Sequence, residues 1–450
     1  MAHITLAEAA RWCGGRVEEQ YAHITFCGAS NDSRTIAPGQ LFVALVGVRD
    51  GNDFIPAAFQ KGAAAVLTSR ENADYPAIVV DDPRIALGQI AAALRQKIGM
   101  KVVGVTGSVG KSTTKEMIAA VLQGDFIVSK TPANFNNDLG MPMAILAMEE
   151  DTQVAVLEMG MSHFGEISYL SKIATPDLAV ITNIGTMHME NLGSRQGILQ
   201  AKLEMLDGMA PTAPICLFGD DEYLWSGRDR IHHPVVWFGV QNSASSVRAE
   251  AVAQQQGLSF VVRAGERSFP VELPLEGVHF VSDALAAISV GLALGVEPQR
   301  MASRLSRFRN MAGRQEIFEA KAVTIINDSY NAGPESMAAA LRVLGNRTGR
   351  RIAALGDMLE LGPCSKDAHY EVGRLAADHA DWLLAYGPDA ANMCQGALDA
   401  GMPRDKVIHF DDRQQLADQL RQICRPGDVL LFKGSRGMHM ELAMEQFLEG

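Results

Sequence analysis

The segment Thr106-Gly-Ser-Val-Gly-Lys-Ser-Thr113 carries the residue types that a loop needs to hold phosphate groups. It follows the apolar run Val102–Thr106 and precedes a helical pattern that ends near Leu122, so it joins a predicted strand to a predicted helix. In such a loop glycines let backbone N–H groups turn toward phosphate oxygens, and the helix N-terminus adds partial positive charge. The lysine neutralises the terminal phosphates of a nucleoside triphosphate, and the serine after it supplies an oxygen to Mg²⁺. The candidate phosphate-binding residues are Gly107, Ser108, Gly110, Lys111, Ser112 and Thr113.

Three side chains further along the chain could complete a catalytic site. Glu158 ends the apolar run Val154–Leu157, and the carboxyl end of a parallel strand is where ligands bind in open α/β sheets. His188 follows another strand end, and Lys202 lies on a predicted helix. Taken singly, such a histidine is more often a surface or satisfied core residue, and such a lysine is more often solvated on a helix face. Their order after the phosphate loop is what makes them candidates.

The elements that must position these residues follow an alternating pattern. Short apolar runs alternate with helical patterns along most of the chain, which is typical of an α/β protein with largely parallel sheets. We predict three domains: a small α/β domain over residues 1–99, a central P-loop domain with a parallel sheet over residues 100–313, and a Rossmann-like domain over residues 314–450. The basic segment Arg304–Arg314 is the predicted hinge before the third domain. Other predicted strands and helices lie at Leu41–Leu45, Arg84–Ile98, Leu178–Thr182, Ile215–Phe218, Asp283–Leu294, Val323–Ile326, Arg351–Leu355, Trp382–Tyr386 and Val429–Phe432.

The overall composition narrows the class of protein. A chain of 450 residues, 47% hydrophobic and 20% charged, is expected to fold into more than one globular core. The net charge of −12 argues against a nucleic-acid-binding surface. No apolar run is long enough to cross a bilayer, and the N-terminus does not resemble a secretory signal. Six widely spaced cysteines without a C-x-x-C pair indicate buried, reduced thiols, so we expect a cytoplasmic protein that does not insert into membranes.

Taken together, the motifs resemble those of the Mur ligase family. In the central block they are TGSVGKST at 106–113, NFNN at 134–137, LEMG at 157–160, NIGTMHMENLGS at 183–194 and AKLE at 201–204. The third block adds Gly313-Arg314, NDSYNA at 327–332, LGDMLELG at 355–362 and KGSR at 433–436, and the first block adds Ser33-Arg34 followed by PGQLFVAL at 38–45. The resemblance spans essentially the whole chain. It is strongest to members that add D-alanyl-D-alanine, because SYNA, GDMLELG and KGSR follow one another as in those members. The D-N-P-R stretch of members that add diaminopimelate or lysine does not occur in this sequence.

The resemblance implies an ATP-dependent ligase that forms an amide bond through an acyl phosphate, in peptidoglycan synthesis. It implies a first domain that binds UDP-N-acetylmuramoyl-tripeptide, a central domain that binds ATP, and a third domain that binds D-alanyl-D-alanine. We expect a monomer. Beyond the phosphate loop, the implied ATP-binding residues are Asn137, Asp283, Arg314 and Asp328. The implied substrate-binding residues are Ser33, Arg34, Ser329, Tyr330, Asn331, Lys433, Ser435 and Arg436.

The catalytic residues that the resemblance implies are Lys111, Glu158, His188 and Lys202. Two Mg²⁺ ions are implied with them. Ser112 and Glu158 would bind one ion, and His188 and Lys202 would bind the second, with Lys202 carrying CO₂ as a carbamate. The carbamate has a physical reason, because an ammonium repels Mg²⁺ whereas a carbamate supplies the anionic oxygens that the ion prefers.

Three segments depart from the family's motifs. Phe280 stands where the family has an asparagine near the adenine, and Asp283 replaces a later asparagine of the same segment. Asn327 replaces the first aspartate of DDSYNAN, and the first block has Asp50-Gly-Asn-Asp53 where the family often has D-G-H-D/F. Two alternatives therefore stay open: another ligase of the superfamily, such as a diaminopimelate-adding or folate polyglutamate ligase, and a nucleotide-binding regulator or inactive scaffold. The four intact catalytic positions favour an active enzyme.

Overall fold

The computed structural model of the protein describes residues 1–71, 74–255 and 257–449. Within these residues the strands form four sheets, and the larger ones have helices packed on their faces. No helix in the described residues is long and apolar enough to cross a membrane.

The first block is a small α/β unit around a parallel sheet of strand order β3-β4-β5-β6. Asp82 caps the last helix of this block, and Pro83 begins it. Proline suits the first helical position because its missing N–H would have no partner there. The elements are β1 Ile4–Thr5, α1 Leu6–Cys13, β2 Thr25–Phe26, β3 Ala29–Ser30, β4 Leu41–Val43, α2 Ile55–Gln60, β5 Ala65–Thr68, β6 Ala77–Val79 and α3 Pro83–Ile98.

The central block is built on a sheet of strand order β15-β14-β13-β12-β11-β10-β7-β9-β8. Strands β7 to β13 pair in parallel, and β14 and β15 extend the sheet in antiparallel fashion. The elements begin with β7 Lys101–Thr106, α4 Lys111–Leu122, β8 Val128–Lys130, α5 Gly140–Leu146, β9 Val154–Glu158, α6 Glu166–Ala174, β10 Leu178–Ile181, α7 Met189–Leu192 and α8 Arg195–Leu203. They continue with β11 Ile215–Phe218, α9 Glu222–Ser226, β12 Val235–Gly239, β13 Val247–Gln254, β14 Leu258–Ala264, β15 Arg267–Leu273, α10 His279–Ala293 and α11 Pro298–Leu305.

The third block is a doubly wound unit of strand order β16-β17-β21-β18-β19-β20, parallel except for the edge strand β16. Its elements are β16 Glu316–Ala320, β17 Val323–Asp328, α12 Pro334–Gly345, β18 Arg351–Gly356, α13 Ser365–His379, β19 Trp382–Tyr386, α14 Ala390–Asp399, β20 Val407–Phe410, α15 Arg413–Ile423, β21 Val429–Lys433 and α16 Met440–Glu449.

The predicted α/β class with largely parallel sheets is confirmed, and each predicted strand and helix is present with its ends shifted by a few residues. The prediction of buried cysteines is wrong in part. All six thiols are free, but only Cys216 is fully buried and Cys364 is exposed. Cys364 lies in a short 3₁₀ turn on the surface, where no core is available to cover it.

The second and third blocks touch directly at several points. Thr186 donates hydrogen bonds from its N–H and hydroxyl to Glu335 Oε1, at 2.8 and 2.9 Å. Arg347 pairs with Glu276 at 2.7 Å. The residues that follow β7 and β9 and those that follow β17 and β21 line one cavity between the two blocks.

Candidate active site

A cavity of about 980 Å³ lies where the three blocks meet. Most of the predicted site residues line it: Ser108, Gly110, Lys111, Ser112, Thr113, Asn137, Glu158, His188, Asp283, Arg314, Asp328, Tyr330, Asn331, Lys433, Ser435 and Arg436. Gly107, Lys202, Ser329, Ser33 and Arg34 are not among its lining residues. The fold therefore assembles one site from segments far apart in sequence.

The phosphate loop joins β7 to α4 as predicted. Gly110 has φ of +85°, and a Cβ there would lie 2.6 Å from Asp283 Oδ1, so only glycine fits. Lys111 Nζ donates to the carbonyls of Gly107 at 2.8 Å and Ser108 at 3.2 Å, which folds the side chain back over the loop. Burial lowers the pKa of Lys111, and the nearby Glu158 carboxylate opposes that effect. The loop can thus place backbone N–H groups and an ammonium around a phosphate.

Glu158 is the centre of a buried polar cluster and is 2% exposed. Ser112 Oγ donates to its Oε2 at 2.7 Å, and Asn136 Nδ2 donates to its Oε1 at 2.9 Å. Burial acts to raise the pKa of Glu158, but Lys111, Lys115 and the two hydrogen bonds outweigh it and hold the pKa below its ordinary value. An ionised carboxylate is thereby kept at the carboxyl end of β9.

Two residues that contact Glu158 were not among the predicted site residues. Lys115 is fully buried, with Nζ 3.6 Å from Glu158 Oε2 and a hydrogen bond of 2.8 Å to the carbonyl of Thr131. Lys115 follows Lys111 by four residues, which places both lysines on one face of α4. This spacing is the sequence feature from which a role of Lys115 in the site could have been predicted. Asn136, rather than its predicted neighbour Asn137, holds the carboxylate, because Asn137 Oδ1 accepts the N–H groups of Leu139 and Gly140 before α5.

The donor set beside the loop fits a Mg²⁺ ion that is shared with a nucleotide. Among the described residues no group of three histidine, cysteine or acidic side chains is gathered as a ready-made metal cage. Mg²⁺ is usually held by one or two carboxylates together with substrate phosphates and waters, so Glu158 and Ser112 are a sufficient protein contribution.

The third block reaches the same cluster through Arg314, whose Nη2 donates to Ser112 Oγ at 2.8 Å. Asp328 is held on both oxygens: the Gln315 N–H donates to Oδ1 at 3.1 Å, and Lys433 Nζ donates to Oδ2 at 2.7 Å. Lys433 also donates to the carbonyl of Asn331 at 2.9 Å, which fixes the loop after β17. Asp328 and Lys433 therefore form one ion pair in the wall of the cavity.

Two predicted substrate-binding serines are hydrogen-bonded to other residues of the third block. Ser435 Oγ accepts the Leu359 N–H at 2.9 Å and donates to the Ala332 carbonyl at 3.2 Å. Ser329 donates to Asn327 Oδ1 at 2.6 Å. Asn327, which replaces the first aspartate of the family's motif, therefore helps to fix the conformation of this loop. Both serines are buried.

His188 and Lys202 are the two residues that the resemblance implies for a second metal ion, and their surroundings differ. His188 adopts φ of +62°, and its Nδ1 lies 2.8 Å from Glu360 Oε2 of the third block. Lys202 is 2% exposed, so the interpretation of a solvated helix lysine is wrong: α8 turns this residue into the core rather than toward solvent. Burial lowers the pKa of Lys202 well below its ordinary value, and the charge of Lys111 adds to the effect. A neutral amine at this position is a nucleophile, whereas an ammonium is not.

Ser33 and Arg34 lie away from the cavity, in the first block. The Arg34 side chain is 86% exposed and pairs with Asp32, with Nη2 and Oδ2 separated by 2.8 Å. The first block instead contributes Arg84 to the cavity wall, 2.5 Å from Asp138 of the central block. Sequence reasoning missed Arg84, because an arginine at the start of a helix is ordinarily a solvated residue.

Asp283 is a buried carboxyl group against the phosphate loop and is 6% exposed. The Thr114 hydroxyl donates to its Oδ1 at 2.9 Å. Burial raises the pKa of Asp283 to about 7, although the Thr114 hydrogen bond and the charge of Arg314 both oppose the rise. At neutral pH this position is therefore close to its titration midpoint.

We expect Asp283→Asn to stabilise the protein more at pH 8 than at pH 5. The folded-state pKa of about 7 exceeds the ordinary value of 3.8, so the folded state binds the proton more tightly. The free energy of unfolding should then fall by at most about 4 kcal/mol as pH rises from about 4 to about 7, and it should stay at the lower value above pH 7. The amide does not titrate, so the variant should lack this loss. Thermal melts across pH check this, with Asp229→Asn, whose carboxylate is 88% exposed, as control. A pH-independent difference between Asp283→Asn and the parent would contradict it.

Comparison with known proteins gives consistent matches along the chain. The family model "Mur ligase family, catalytic domain" matches residues 23–95, "Mur ligase middle domain" matches 105–291, and "Mur ligase, glutamate ligase domain" matches 313–436. The UDP-N-acetylmuramoyl-tripeptide–D-alanyl-D-alanine ligase of Bacillus subtilis is 39% identical over 445 residues, covering 97% of this chain and 96% of that protein.

Two crystal structures extend the similarity to three dimensions. MurF from Acinetobacter baumannii superposes with a TM-score of 0.91 at 32% identity, covering 100% of both chains. MurF ligase from Thermotoga maritima, solved in complex with ADP, superposes with a TM-score of 0.83 at 30% identity, covering 94% of this chain and 97% of that one.

Proposed function

The chain belongs to the Mur ligase family, and from this premise we propose that it joins D-alanyl-D-alanine to UDP-N-acetylmuramoyl-tripeptide at the expense of ATP. The observation that carries the proposal is the convergence in one cavity of the phosphate loop, the ionised Glu158 and Arg314 from the third block. The full-length relatives supply the identity of the two substrates. The product is the UDP-muramoyl-pentapeptide of peptidoglycan synthesis.

The reaction proceeds in two steps that balance in atoms and charge. An oxygen of the tripeptide's terminal carboxylate attacks the γ-phosphorus of ATP, the bond from that phosphorus to the β–γ bridging oxygen breaks, and ADP leaves. The amine of D-alanyl-D-alanine then attacks the acyl carbon, loses a proton, and displaces inorganic phosphate. Phosphorylation is needed because an unactivated carboxylate would have to expel oxide. The protein's main task is to hold two anions together and neutralise their charge.

The residues divide this task among them. Lys111 and the backbone N–H groups of residues 110–113, at the start of α4, receive the ATP phosphates, and Arg314 reaches the same region from the third block. Glu158 and Ser112 would hold one Mg²⁺, and that ion would screen the repulsion between carboxylate and phosphate. Asp328 and Lys433 keep the loop of Tyr330 and Asn331 in place beside the site for the incoming dipeptide.

We propose that His188 and a carbamylated Lys202 would hold a second Mg²⁺. The neutral Lys202 amine attacks CO₂, a C–N bond forms, and one proton leaves to solvent, which yields an anionic carbamate. The depressed pKa of Lys202 supports this reaction, since only the unprotonated amine can attack. Among the described residues no carboxylate forms an ion pair with Lys202, so no neighbouring anion favours the protonated form of the amine.

Each block is proposed to bind one substrate, with the UDP-precursor on residues 1–99, ATP on residues 100–313 and the dipeptide on residues 314–450. A single chain supplies Arg84, Lys111 and Arg436 to the cavity, which supports activity as a monomer. We expect the reaction to take place in the cytoplasm, where ATP is supplied.

Replacing Arg34 with alanine should weaken binding of the UDP-precursor about tenfold and leave ADP binding unchanged. An exposed guanidinium that Asp32 orients is suited to a diphosphate or carboxylate, and it lies outside the nucleotide cavity. Calorimetric titration of both ligands measures this. Arg16→Ala is the matched control, because Arg16 is an exposed arginine of the same block that pairs with Glu71. Equal losses for both ligands would argue against a separate precursor site.

The function itself is tested by ADP formation with a panel of substrates. We expect continued ADP release, beyond one equivalent per enzyme, only when UDP-muramoyl-tripeptide and D-alanyl-D-alanine are present together, and none from Lys111→Ala. Turnover with diaminopimelate or lysine and a shorter precursor would assign the chain to another ligase of the superfamily. Absence of turnover with every pair would assign it a regulatory or scaffold role.

A further inference from the structure

Tyr330 lies between two arginines that belong to different parts of the site. The Arg314 guanidinium carbon is 4.0 Å from the centre of the Tyr330 ring, and that of Arg436 is 5.6 Å from it. All three side chains line the cavity. The Tyr330 N–H also donates to the carbonyl of Gly313 at 3.0 Å, so backbone and ring both hold the segment that carries Arg314.

Arg314 differs from Arg84 and Arg436 because the Tyr330 ring, rather than a carboxylate, holds its side chain in position. Among the described residues no carboxylate lies within ion-pair distance of Arg314, whereas Arg84 pairs with Asp138 and Arg436 pairs with Glu441 at 3.2 Å. Arg314 also donates a hydrogen bond to Ser112 Oγ, which is a neutral partner. A guanidinium that is stacked on an aromatic face and left without a carboxylate keeps its charge available for an incoming anion.

Arg436 is differently placed. Its side chain is 61% exposed, and its N–H donates to Asn331 Oδ1 at 3.3 Å, in the loop that follows Tyr330. An exposed guanidinium on the third-block side of the cavity can take the free carboxylate of a dipeptide. The Tyr330 ring therefore lies against both the arginine at the phosphate loop and the arginine on the dipeptide side.

We propose that Tyr330 is a positioning residue: its ring holds Arg314 in place for the terminal phosphates of ATP and links that arginine to Arg436, so that nucleotide and dipeptide occupancy are coupled. The second half rests on the proposed function, whereas the first half concerns the nucleotide alone. The ring, rather than the hydroxyl, does this, because cation–π contacts need the aromatic face. Phenylalanine should consequently replace tyrosine, and alanine should not.

The first test measures affinity for a non-hydrolysable ATP analogue by calorimetry. We expect Tyr330→Phe to bind within twofold of the parent and Tyr330→Ala to bind about tenfold more weakly, the range of one partly desolvated cation–π contact. Arg314→Ala should lose at least as much, and the double variant should lose no more than Arg314→Ala. Additive losses would show that Tyr330 does not act through Arg314 and would overturn the proposal. A loss for Tyr330→Phe equal to that for Tyr330→Ala would do the same.

The second test repeats the titration with saturating D-alanyl-D-alanine. We expect the dipeptide to tighten analogue binding several-fold in the parent and in Tyr330→Phe, and to leave it unchanged in Tyr330→Ala, a readout that a purely structural role would not move. Coupling that survives in Tyr330→Ala, or that is absent from a parent that binds the dipeptide, would overturn the link to Arg436. A parent that binds no dipeptide at all would instead overturn the proposed function, while the analogue titration would still decide the role of Tyr330 toward Arg314.

Discussion

Replacing Lys202 with methionine or alanine should reduce turnover on the order of 10³-fold while leaving the protein folded, because a group that stabilises charge in the transition state is lost. Lys202 is 2% exposed, and burial holds its pKa well below the ordinary value. Methionine fills similar space without a polar atom, so Lys202→Met should melt at or above the parent's temperature. Activity and stability would then move in opposite directions, which a residue needed only for packing could not produce.

Chemical rescue separates the carbamate from other roles of the lysine. Formate or acetate should restore part of the activity of Lys202→Ala, since the shortened side chain leaves room for a small carboxylate, and should not help Lys202→Met. Lys172→Ala removes an exposed lysine of α6 and should behave like the parent. Depletion of CO₂ should lower the parent's activity reversibly, and ¹³CO₂ should give a carbamate resonance that both variants lack. Near-normal turnover of Lys202→Met in CO₂-depleted buffer would refute the role.

Replacing Glu158 with glutamine should also lower turnover on the order of 10³-fold and raise the Mg²⁺ concentration that gives half-maximal activity. The amide keeps the shape of the side chain but loses the charge that a hard cation requires. Glu158 is the ionised carboxylate that Ser112 and Asn136 hold at the phosphate loop. Steady-state kinetics over a Mg²⁺ series measures both effects.

Glu116→Gln is the matched control for this prediction. The Glu116 carboxylate lies 3.6 Å from Lys115 Nζ, the same distance as that of Glu158, but it also pairs with Lys130. If the loss in Glu158→Gln came only from leaving Lys115 with one fewer anionic neighbour, Glu116→Gln should lose as much activity. An unchanged Mg²⁺ dependence in Glu158→Gln would count against its role as a metal ligand.

The fold and the site could be predicted from the sequence where the hydrophobic pattern and the reactive residue types lie in the same short segment. The strand–loop–helix around Lys111 and the position of Glu158 at the end of β9 follow from apolar runs and glycine spacing, and both are present. The antiparallel strands β14 and β15 were not predicted, although buried residues alternate along them at Leu258, Phe260 and Val262 and at Phe269, Val271 and Leu273. This alternation predicts two strands that are buried on one face, but the expectation of parallel strands, taken from the rest of the chain, left them out.

What the sequence could not provide is the set of contacts between distant segments. Lys115 looks like a solvated helix lysine until β8 and β9 cover it, and its role beside Glu158 depends on that burial. Arg84 reaches the cavity only because α3 packs against the central block. The stacking of Arg314 on Tyr330 joins two parts of the third block to Ser112 of the second. Such contacts depend on the packing of whole domains, which no local pattern encodes.

The most direct measurement of the proposed reaction follows one oxygen atom. UDP-muramoyl-tripeptide labelled with ¹⁸O at both oxygens of its terminal carboxylate is turned over with ATP and D-alanyl-D-alanine. The ¹⁸O content of the released phosphate and of the product is then measured by mass spectrometry. Attack of the carboxylate on the γ-phosphorus requires that one labelled oxygen appear in the phosphate and that the other remain in the new amide carbonyl of a UDP-muramoyl-pentapeptide. Unlabelled phosphate, or phosphate released without the pentapeptide, would contradict ligation through an acyl phosphate.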